Sequence, residues 1–167
     1  DLDRISRGEI PPPLSERWQG DFHTIEAALN RCIASLGALV GDLEGMAKAH
    51  AAGDTDVYVE AGKFTGAWAE VATGVDGAVR FHVDTIAEIL DALRAYASGD
   101  FAKTLRRLPG KQAVANEVLD RMRDNLRLVA AEVNRLTLAA VGGQLSVRAD
   151  AARFEGDWAE LVRGLNG

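Results

Sequence analysis

The sequence is poor in the residues and runs that many functional classes require. Its 167 residues include one cysteine, Cys32, so an internal disulfide and a cage of cysteine ligands around a metal are both excluded. Basic residues number 19 against 25 acidic ones, and this balance argues against nucleic acids and anionic membranes as partners. No apolar run approaches the roughly 20 residues that span a bilayer.

The chain also lacks an initiator methionine and a signal peptide, so we expect it to be a segment of a longer protein. Aromatic residues make up only 6% of it, whereas alanine, leucine and valine are abundant. This composition favours helices over a β-sandwich. The apolar fraction of 47% is sufficient for a packed core.

The strongest pattern is a fourfold internal repeat marked by two glycines per copy. The step from the first glycine to the second changes from copy to copy, whereas the step from the second glycine to the next first glycine is always the same. One inserted residue would rotate every later side chain of a helix by about 100°. The constant stretch is therefore predicted to be a long helix and the variable stretch a connector. The first glycines are Gly8, Gly53, Gly99 and Gly143, and the second glycines are Gly20, Gly66, Gly110 and Gly156.

We call the stretches 8–20, 53–66, 99–110 and 143–156 connectors 1 to 4. Ten residues after each second glycine the sequence has an asparagine or an aspartate, namely Asn30, Asp76, Asp120 and Asn166. The aspartates at this repeated position indicate a structural role, because a catalytic pair of carboxylates would occur once.

Apolar residues in the constant stretches follow alternating steps of three and four, the spacing of a coiled-coil seam. In the second copy the step from Val75 to Val79 shifts the stripe, a stutter that changes the local supercoil. The seam residues predicted to form the bundle core are Phe22, Ile25, Leu29, Cys32, Leu36, Leu39 and Leu43, then Val71, Val75, Val79, Ile86, Leu90 and Leu93, and finally Leu119, Met122, Leu126, Val129, Val133 and Leu136.

The ends of the predicted helices carry recognisable signals. Gly53, Gly99 and Gly143 stand where a glycine commonly ends a helix. Asp21 and Asp157 are predicted to be N-caps, the latter with Glu160 completing a capping box. The prolines fall in connectors, where no helical N–H is lost.

Each connector has apolar residues at short intervals and is expected to lie against the helices. About a dozen extended residues can span some 35 Å, enough to return along a helix so that the next helix runs parallel to it. A two-helix unit still exposes one side of its seam. The sequence therefore predicts an all-α fold in which a homodimer completes a parallel four-helix bundle per repeat.

Two parallel helices joined by such a connector resemble the HAMP signalling domain. Concatenated copies that share long helices resemble the poly-HAMP arrays of bacterial methyl-accepting chemotaxis receptors and some sensor histidine kinases. The segments 3–12, 96–110 and 145–151 are similar to stretches of such receptors. The sequence departs from the pattern at Thr55, where an apolar residue is usual, and at Gln112, where an aromatic one is.

The resemblance covers the whole chain and implies two complete HAMP units at 36–82 and 83–128, flanked by partial units at 1–35 and 129–167. It implies a non-catalytic relay that converts a displacement at one end into a changed bundle geometry at the other. The implied partners are a second copy of the chain and the sensor and output domains of the parent chain. The resemblance implies no cofactor, metal, nucleic acid or small-molecule substrate, and a cytoplasmic location, whether or not the parent receptor is membrane-anchored.

Two alternatives stay open beside the relay. A passive coiled-coil dimerisation spacer would need a continuous heptad and no connectors. An enzyme on a helical scaffold would need a polar constellation that is not repeated, and the sequence shows none.

The histidines His23, His50 and His82 do not begin the His-Glu-x-x-x-Pro pattern of a kinase phosphoacceptor. His50 and His82 lie near the seam, either as partly solvated helix residues or as a polar layer that senses pH.

Three other sets of side chains each have two interpretations. Cys32 is a small buried hydrophobe or a reactive thiol, and no histidine is placed to activate it. The repeated aromatic positions indicate packing rather than a ligand cage. The basic group near connector 3 is a solvated face or a surface for an acidic helix. The aromatic residues are Trp18, Phe64, Trp68 and Trp158, and the basic ones are Lys103, Arg106, Arg107 and Lys111.

Overall fold

The computed structural model describes residues 2–15 and 20–166, without the side chains of Leu2 and Asp21. This part of the chain contains five α-helices, three short 3₁₀ turns and no strand, so the predicted all-α fold is confirmed. The helices are α1 (Leu2–Ser6), α2 (Asp21–Ala51), α3 (Ala67–Ala97), α4 (Ala113–Val141) and α5 (Asp157–Gly164).

The long helices occupy the stretches of constant spacing. Helices α2 and α3 have 31 residues each and α4 has 29, so each is about 45 Å long at 1.5 Å per residue. The variable stretches between them are connectors, as the insertions and deletions predicted.

Every long helix ends at a connector glycine with the same pair of backbone bonds. At the end of α2, Gly53 has a φ of 93°, its N–H donates to the carbonyl of His50 at 3.0 Å, and the next N–H donates to Ala49 at 3.0 Å. This is the Schellman motif, which requires a left-handed residue that glycine adopts at little cost. The same motif ends α3 at Gly99 and α4 at Gly143, so the predicted helix ends are confirmed.

The predicted N-caps are wrong by one residue. Helices α2 and α5 begin at Asp21 and Asp157, and the capping positions belong to Gly20 and Gly156, which have positive φ angles of 66° and 56°. The capping box predicted with Glu160 is absent too, since neither helix start has a side-chain cap bond. The chain enters each helix through a conformation that glycine alone adopts readily, and this moves the aspartate into the first helical turn.

The chain divides into two compact units, Asp1–Thr85 and Ile86–Gly167, with the boundary inside α3. The core of the first unit joins residues of α2, connector 2 and α3. The second unit has two buried clusters, one around connector 3 and one around connector 4. The first core contains Leu39, Met46, Val59, Phe64 and Ala72; the clusters of the second unit contain Ala92, Tyr96, Leu105, Leu108 and Leu119, and Ala149, Phe154, Ala159 and Val162. In all three clusters the connector lies against the helices, as predicted.

Candidate functional site

The polar contacts of the described residues concentrate where connectors meet helices. Three kinds recur at fixed distances from the connector glycines, and we call them the entry bond, the connector ion pair and the amide bridge.

The entry bond joins the last turn of a helix to the connector that follows it. His50 Nε2 lies 2.9 Å from the carbonyl oxygen of Val57, so Nε2 carries the hydrogen. The Tyr96 hydroxyl donates to the carbonyl of Lys103 at 3.2 Å. Both donors lie three residues before a connector glycine and both acceptors four residues after it. Two different side chains thus make the same contact in connectors 2 and 3.

The connector ion pair joins a connector cation to an acidic residue that stands about three helical turns before the connector glycine. Lys63 Nζ lies 3.4 Å from Asp42, and Arg153 Nη1 lies 3.4 Å from the buried Glu132. Arg106 Nε makes bonds of 2.9 and 2.8 Å to the two carboxylate oxygens of Glu88. The hydrogen bond that Lys63 donates to Asp42 raises the pKa of Lys63.

These contacts show that connectors 2, 3 and 4 run back along the helices that precede them. His50 near the end of α2 contacts the start of connector 2, whereas Asp42, about two turns earlier, contacts its later part. Helix α3 therefore begins beside the middle of α2. This return is the arrangement that a parallel helix pair requires.

Connector 3 has two further ion pairs. Lys103 Nζ lies 2.6 Å from Asp91, and this hydrogen bond lowers the pKa of Asp91 and raises that of Lys103. Arg107 lies 2.8 Å from Asp120 of α4. Together with Arg106, these residues of the predicted basic group meet acidic side chains on helices of their own chain. Their side chains are 40 to 79% exposed, so water also solvates them.

The amide bridge joins a connector to an asparagine in the helix that follows it or, for connector 4, two residues beyond that helix. Asn30 accepts a hydrogen bond from the N–H of Leu14 at 2.7 Å and donates to the carbonyl of the same residue at 3.2 Å. Asn166 does the same with Ala149, at 2.6 and 2.9 Å. One side-chain amide thus satisfies both polar groups of one connector residue. These asparagines are the repeated residues ten positions after the second glycine.

Connector 3 is shorter and is bridged differently. Asn116, one helical turn before Asp120, accepts from the N–H of Leu108 at 2.9 Å and donates to the carbonyl of Arg106 at 2.8 Å. Asn116 is buried, and Asp120 pairs with arginines instead. Gln112, which replaces the expected aromatic residue, is the N-cap residue of α4.

After connector 2, the residue that corresponds to Asn30 and Asn166 is Asp76 of α3. One of its oxygens accepts from Arg80 Nε at 2.8 Å, and the other, Oδ1, is buried without a hydrogen-bond partner. The Arg80 guanidinium lies 3.6 Å from the ring centre of Tyr58 in the connector. The hydrogen bond that Arg80 donates to Asp76 raises the pKa of Arg80.

The predicted seam residues differ in exposure. Leu39 and Leu119 are buried. A second group is half-buried: Leu29, Cys32, Leu36, Leu43, Val75, Val79, Leu93, Leu126, Val129 and Leu136. A third group is 38 to 63% exposed: Phe22, Ile25, Val71, Ile86, Leu90, Met122 and Val133. All eight connector glycines have positive φ angles, between 54° and 93°.

The remaining candidate residues take structural positions. Phe64 belongs to the first core and Trp68 packs against it, whereas Trp158 is 36% exposed and Trp18 lies outside the described residues. His23 and His82 are exposed, and Cys32 is a free, half-buried thiol. Lys111 is exposed beside α4.

Sequence reasoning missed the entry bonds and the connector ion pairs. The ion pairs had a signal, because Asp42, Glu88 and Glu132 stand at one common offset before Gly53, Gly99 and Gly143. The entry bonds had no sequence signal, because histidine and tyrosine at equivalent positions are not recognisable as a repeated residue. Across residues 2–15 and 20–166, no helix is both long and apolar enough to cross a bilayer.

Family comparisons agree with this architecture. The HAMP domain model matches residues 1–38, and the model of HAMP N-terminal domain 3 matches residues 85–127. The chain therefore contains two segments that match HAMP domains, modules that relay signals in chemotaxis and two-component signalling and are generally non-catalytic. HAMP domains operate within receptor chains, between sensor and output domains.

A particular relative is the methyl-accepting chemotaxis protein McpB of Pseudomonas aeruginosa. It is 33% identical to this chain over 135 residues, which cover 79% of the chain and 20% of the relative. The chain thus spans about a fifth of the length of the curated relative that it matches.

Proposed function

We propose that this chain is a non-enzymatic, cytoplasmic relay segment that acts as a parallel homodimer between a sensor and an output domain of its parent protein. The observation that carries the proposal is the repeated tethering of each connector to its helices, beside a seam that stays open to solvent. A relay needs helix pairs that move as defined bodies and a face through which two chains couple. The tethers supply the first and the seam the second.

The exposed seam residues support the homodimer. Phe22, Ile25 and Val71 in the first compact unit are 48 to 63% exposed, and Ile86 and Leu90 in the second are 58 and 53% exposed. They recur at coiled-coil spacing rather than singly. Covering each with an identical stripe would stabilise the dimer by roughly 1 kcal/mol per half-exposed side chain. The parallel four-helix bundle per repeat is the arrangement that uses all of them, and the nineteen seam residues would form its core.

The division into HAMP units is part of the proposal: 36–82 and 83–128 as complete units, with 1–35 and 129–167 as partial ones. The family matches at 1–38 and 85–127 support two of these divisions, since their ends lie within three residues of the proposed limits. Connectors 2 and 3 fall in the middle of the two complete units.

The mechanism follows from helix continuity. Helix α3 contributes Ala72 to the core beside connector 2 and Ala92 to the core beside connector 3, and it is unbroken between them. A rotation or tilt of α3 at one connector is therefore carried to the next. Each bundle would need two packings within a few kcal/mol of each other for a signal to select between them.

Disulfide cross-linking tests the dimer and its core. In a Cys32→Ser background, cysteines placed singly at Leu29, Leu36 and Leu43 should form disulfides between copies, because their partners face them across the bundle. The matched control is Glu44→Cys, an exposed position on the same helix. A monomer by sedimentation at all accessible concentrations, or equal cross-linking at Glu44, would overturn the homodimer.

The same cysteines test the relay. In a receptor that carries this segment, the cross-linking pattern should differ between the two signalling states. A passive spacer would give one pattern in both states. The connectors that interrupt the helices already disfavour the spacer, because a spacer needs only a continuous coiled coil.

A further inference from the structure

Three connectors are held by a side-chain amide, and connector 2 is not. Asn30, Asn116 and Asn166 each bond both an N–H and a carbonyl of the connector backbone. After connector 2, the residue at the position of Asn30 and Asn166 is Asp76, which lies in α3. Among the described residues, connector 2 has no equivalent of Asn116 that bonds its backbone from the next helix.

Connectors 2 and 4 are otherwise the closest match in the chain. Their two glycines have the same separation, and each has a 3₁₀ turn at the same place, Ala61–Lys63 and Ala151–Arg153. Asp76 follows Val59 at the same interval at which Asn166 follows Ala149. Val59 and Ala149 are both buried, at 3 and 6% exposure. Val59 is therefore the residue that an amide at position 76 would bridge.

A carboxylate can replace only the accepting half of the amide there, and the Val59 carbonyl accepts instead from the N–H of Ala61 at 3.0 Å. An ionised carboxylate accepts hydrogen bonds but donates none, so it has nothing to offer the carbonyl of Val59. The structure shows the consequence at Asp76, whose Oδ2 turns to Arg80 while Oδ1 stays buried without a partner. An unsatisfied buried acceptor is unfavourable, and it lies at the joint between connector 2 and α3.

Connector 2 keeps its other tethers. The entry bond from His50 holds its start, and the ion pair between Lys63 and Asp42 holds its later part. Both of these tethers attach it to α2, and toward α3 the Arg80 guanidinium lies 3.6 Å from the ring centre of Tyr58. What is missing is the amide bond pair that would attach its middle to α3.

We propose that Asp76 is a positioning residue that weakens the docking of connector 2 on α3 and so makes this connector the one that rearranges most readily when the relay changes state. The readier rearrangement of connector 2 rests on the proposed relay function, whereas its weakened docking on α3 does not. At the repeated position, Asp76 differs from Asn166 by one atom, an oxygen in place of the amide nitrogen.

Amide hydrogen exchange measured by NMR on the full chain tests the weakened docking of connector 2 on α3. Asp76→Asn should slow exchange at the Val59 N–H about tenfold, the effect expected of one added hydrogen bond. Asn166→Asp should accelerate exchange at Ala149 by a similar factor. The matched control is Asp84→Asn, which removes the same charge from an exposed position of α3 and should leave Val59 unchanged.

Two outcomes would overturn the proposal: an unchanged rate at Val59 in Asp76→Asn, or a slowing shared equally by all amides of the first compact unit. The latter would mean that relief of buried charge stabilises the unit as a whole. Neither result bears on the relay function, because exchange is measured without signalling.

A test of the readier rearrangement of connector 2 during signalling needs a receptor that carries this segment. There, Asp76→Asn should shift the stimulus–response curve relative to wild type, while Asp84→Asn should not. Suppose that Asp76→Asn leaves the curve unchanged in a receptor whose seam cross-links still differ between signalling states. This result would overturn the readier rearrangement of connector 2 and leave the relay intact. A receptor whose seam cross-links do not differ would overturn the relay itself and leave the exchange result standing.

Discussion

Lys63 in connector 2 and Asp42 in α2 form an ion pair, and Arg153 and Glu132 form a second one at the same separation in sequence. The equal separations mean that connectors 2 and 4 return along their preceding helices to the same depth. The cations of both pairs are half-exposed, and such an ion pair contributes little stability. Its recurrence at one register indicates that it fixes where the connector lies, and hence where the next helix begins.

Two alanine substitutions, one just after the end of α2 and one inside it, should have opposite effects on the stability of the chain. Gly53→Ala should destabilise the chain by about 1 to 2 kcal/mol, because alanine is strained at a φ of 93° although no atom crowds the site. Gly45→Ala, in the exposed interior of α2, should stabilise it by about 0.5 to 1 kcal/mol. Urea denaturation followed by circular dichroism measures both. Effects of the same sign would contradict this account of the connector glycines.

The entry bond of connector 3 predicts a cost for removing one hydroxyl. Tyr96→Phe should lower the free energy of unfolding by about 1 kcal/mol, because the buried ring stays while the carbonyl of Lys103 loses its donor. Tyr58→Phe is the control, since the Tyr58 contacts described above are made by its ring. Denaturant titration of the two variants should separate them; a Tyr96→Phe protein as stable as the control would show that the bond does not hold the connector.

The buried amide of Asn116 predicts the largest of these effects. Asn116→Ala should cost about 2 to 3 kcal/mol, because it leaves the N–H of Leu108 and the carbonyl of Arg106 without their partner. Asn125→Ala, at a half-buried position on the same helix, should change stability by less than about 0.5 kcal/mol. Thermal melts of the two variants provide the comparison, and similar melting temperatures would refute the amide bridge of connector 3.

The pair of Lys103 and Asp91 predicts an acid-sensitive contact. The pKa of Asp91 is lowered, so the contribution of the pair is present at neutral pH and is lost as the pH falls below about 4, through the pKa of the folded state. Carboxyl carbon NMR should show Asp91 titrating below the ordinary aspartate range. Lys103→Gln should move the midpoint upward, whereas Lys111→Gln should not. Identical midpoints in all three proteins would exclude the pair in solution.

Helix positions could be predicted because a helix does not tolerate insertions. The constant interval from each second glycine to the next first glycine located the three long helices, and Gly53, Gly99 and Gly143 located their ends. The N-cap positions were wrongly assigned to Asp21 and Asp157, because the backbone angles of Gly20 and Gly156 make these glycines the capping residues and no sequence pattern reports those angles.

The tethers were harder to foresee for two physical reasons. Their partners are distant in sequence and meet only if the direction of the connector is known, as with Arg106 and Glu88. Their chemistry also varies, since His50 and Tyr96 make the same bond with unrelated side chains. Conversely, the sequence pattern groups Asp76 with Asn166, although only the asparagine can donate a hydrogen bond.

The unbroken course of α3 has a consequence for reading genetic data. In the proposed relay, a rotation of α3 at Ala72 is passed along the same continuous helix to Ala92. Suppressors of a lesion beside one connector should therefore arise beside the other, and a phenotype mapped to α3 cannot be credited to a single module.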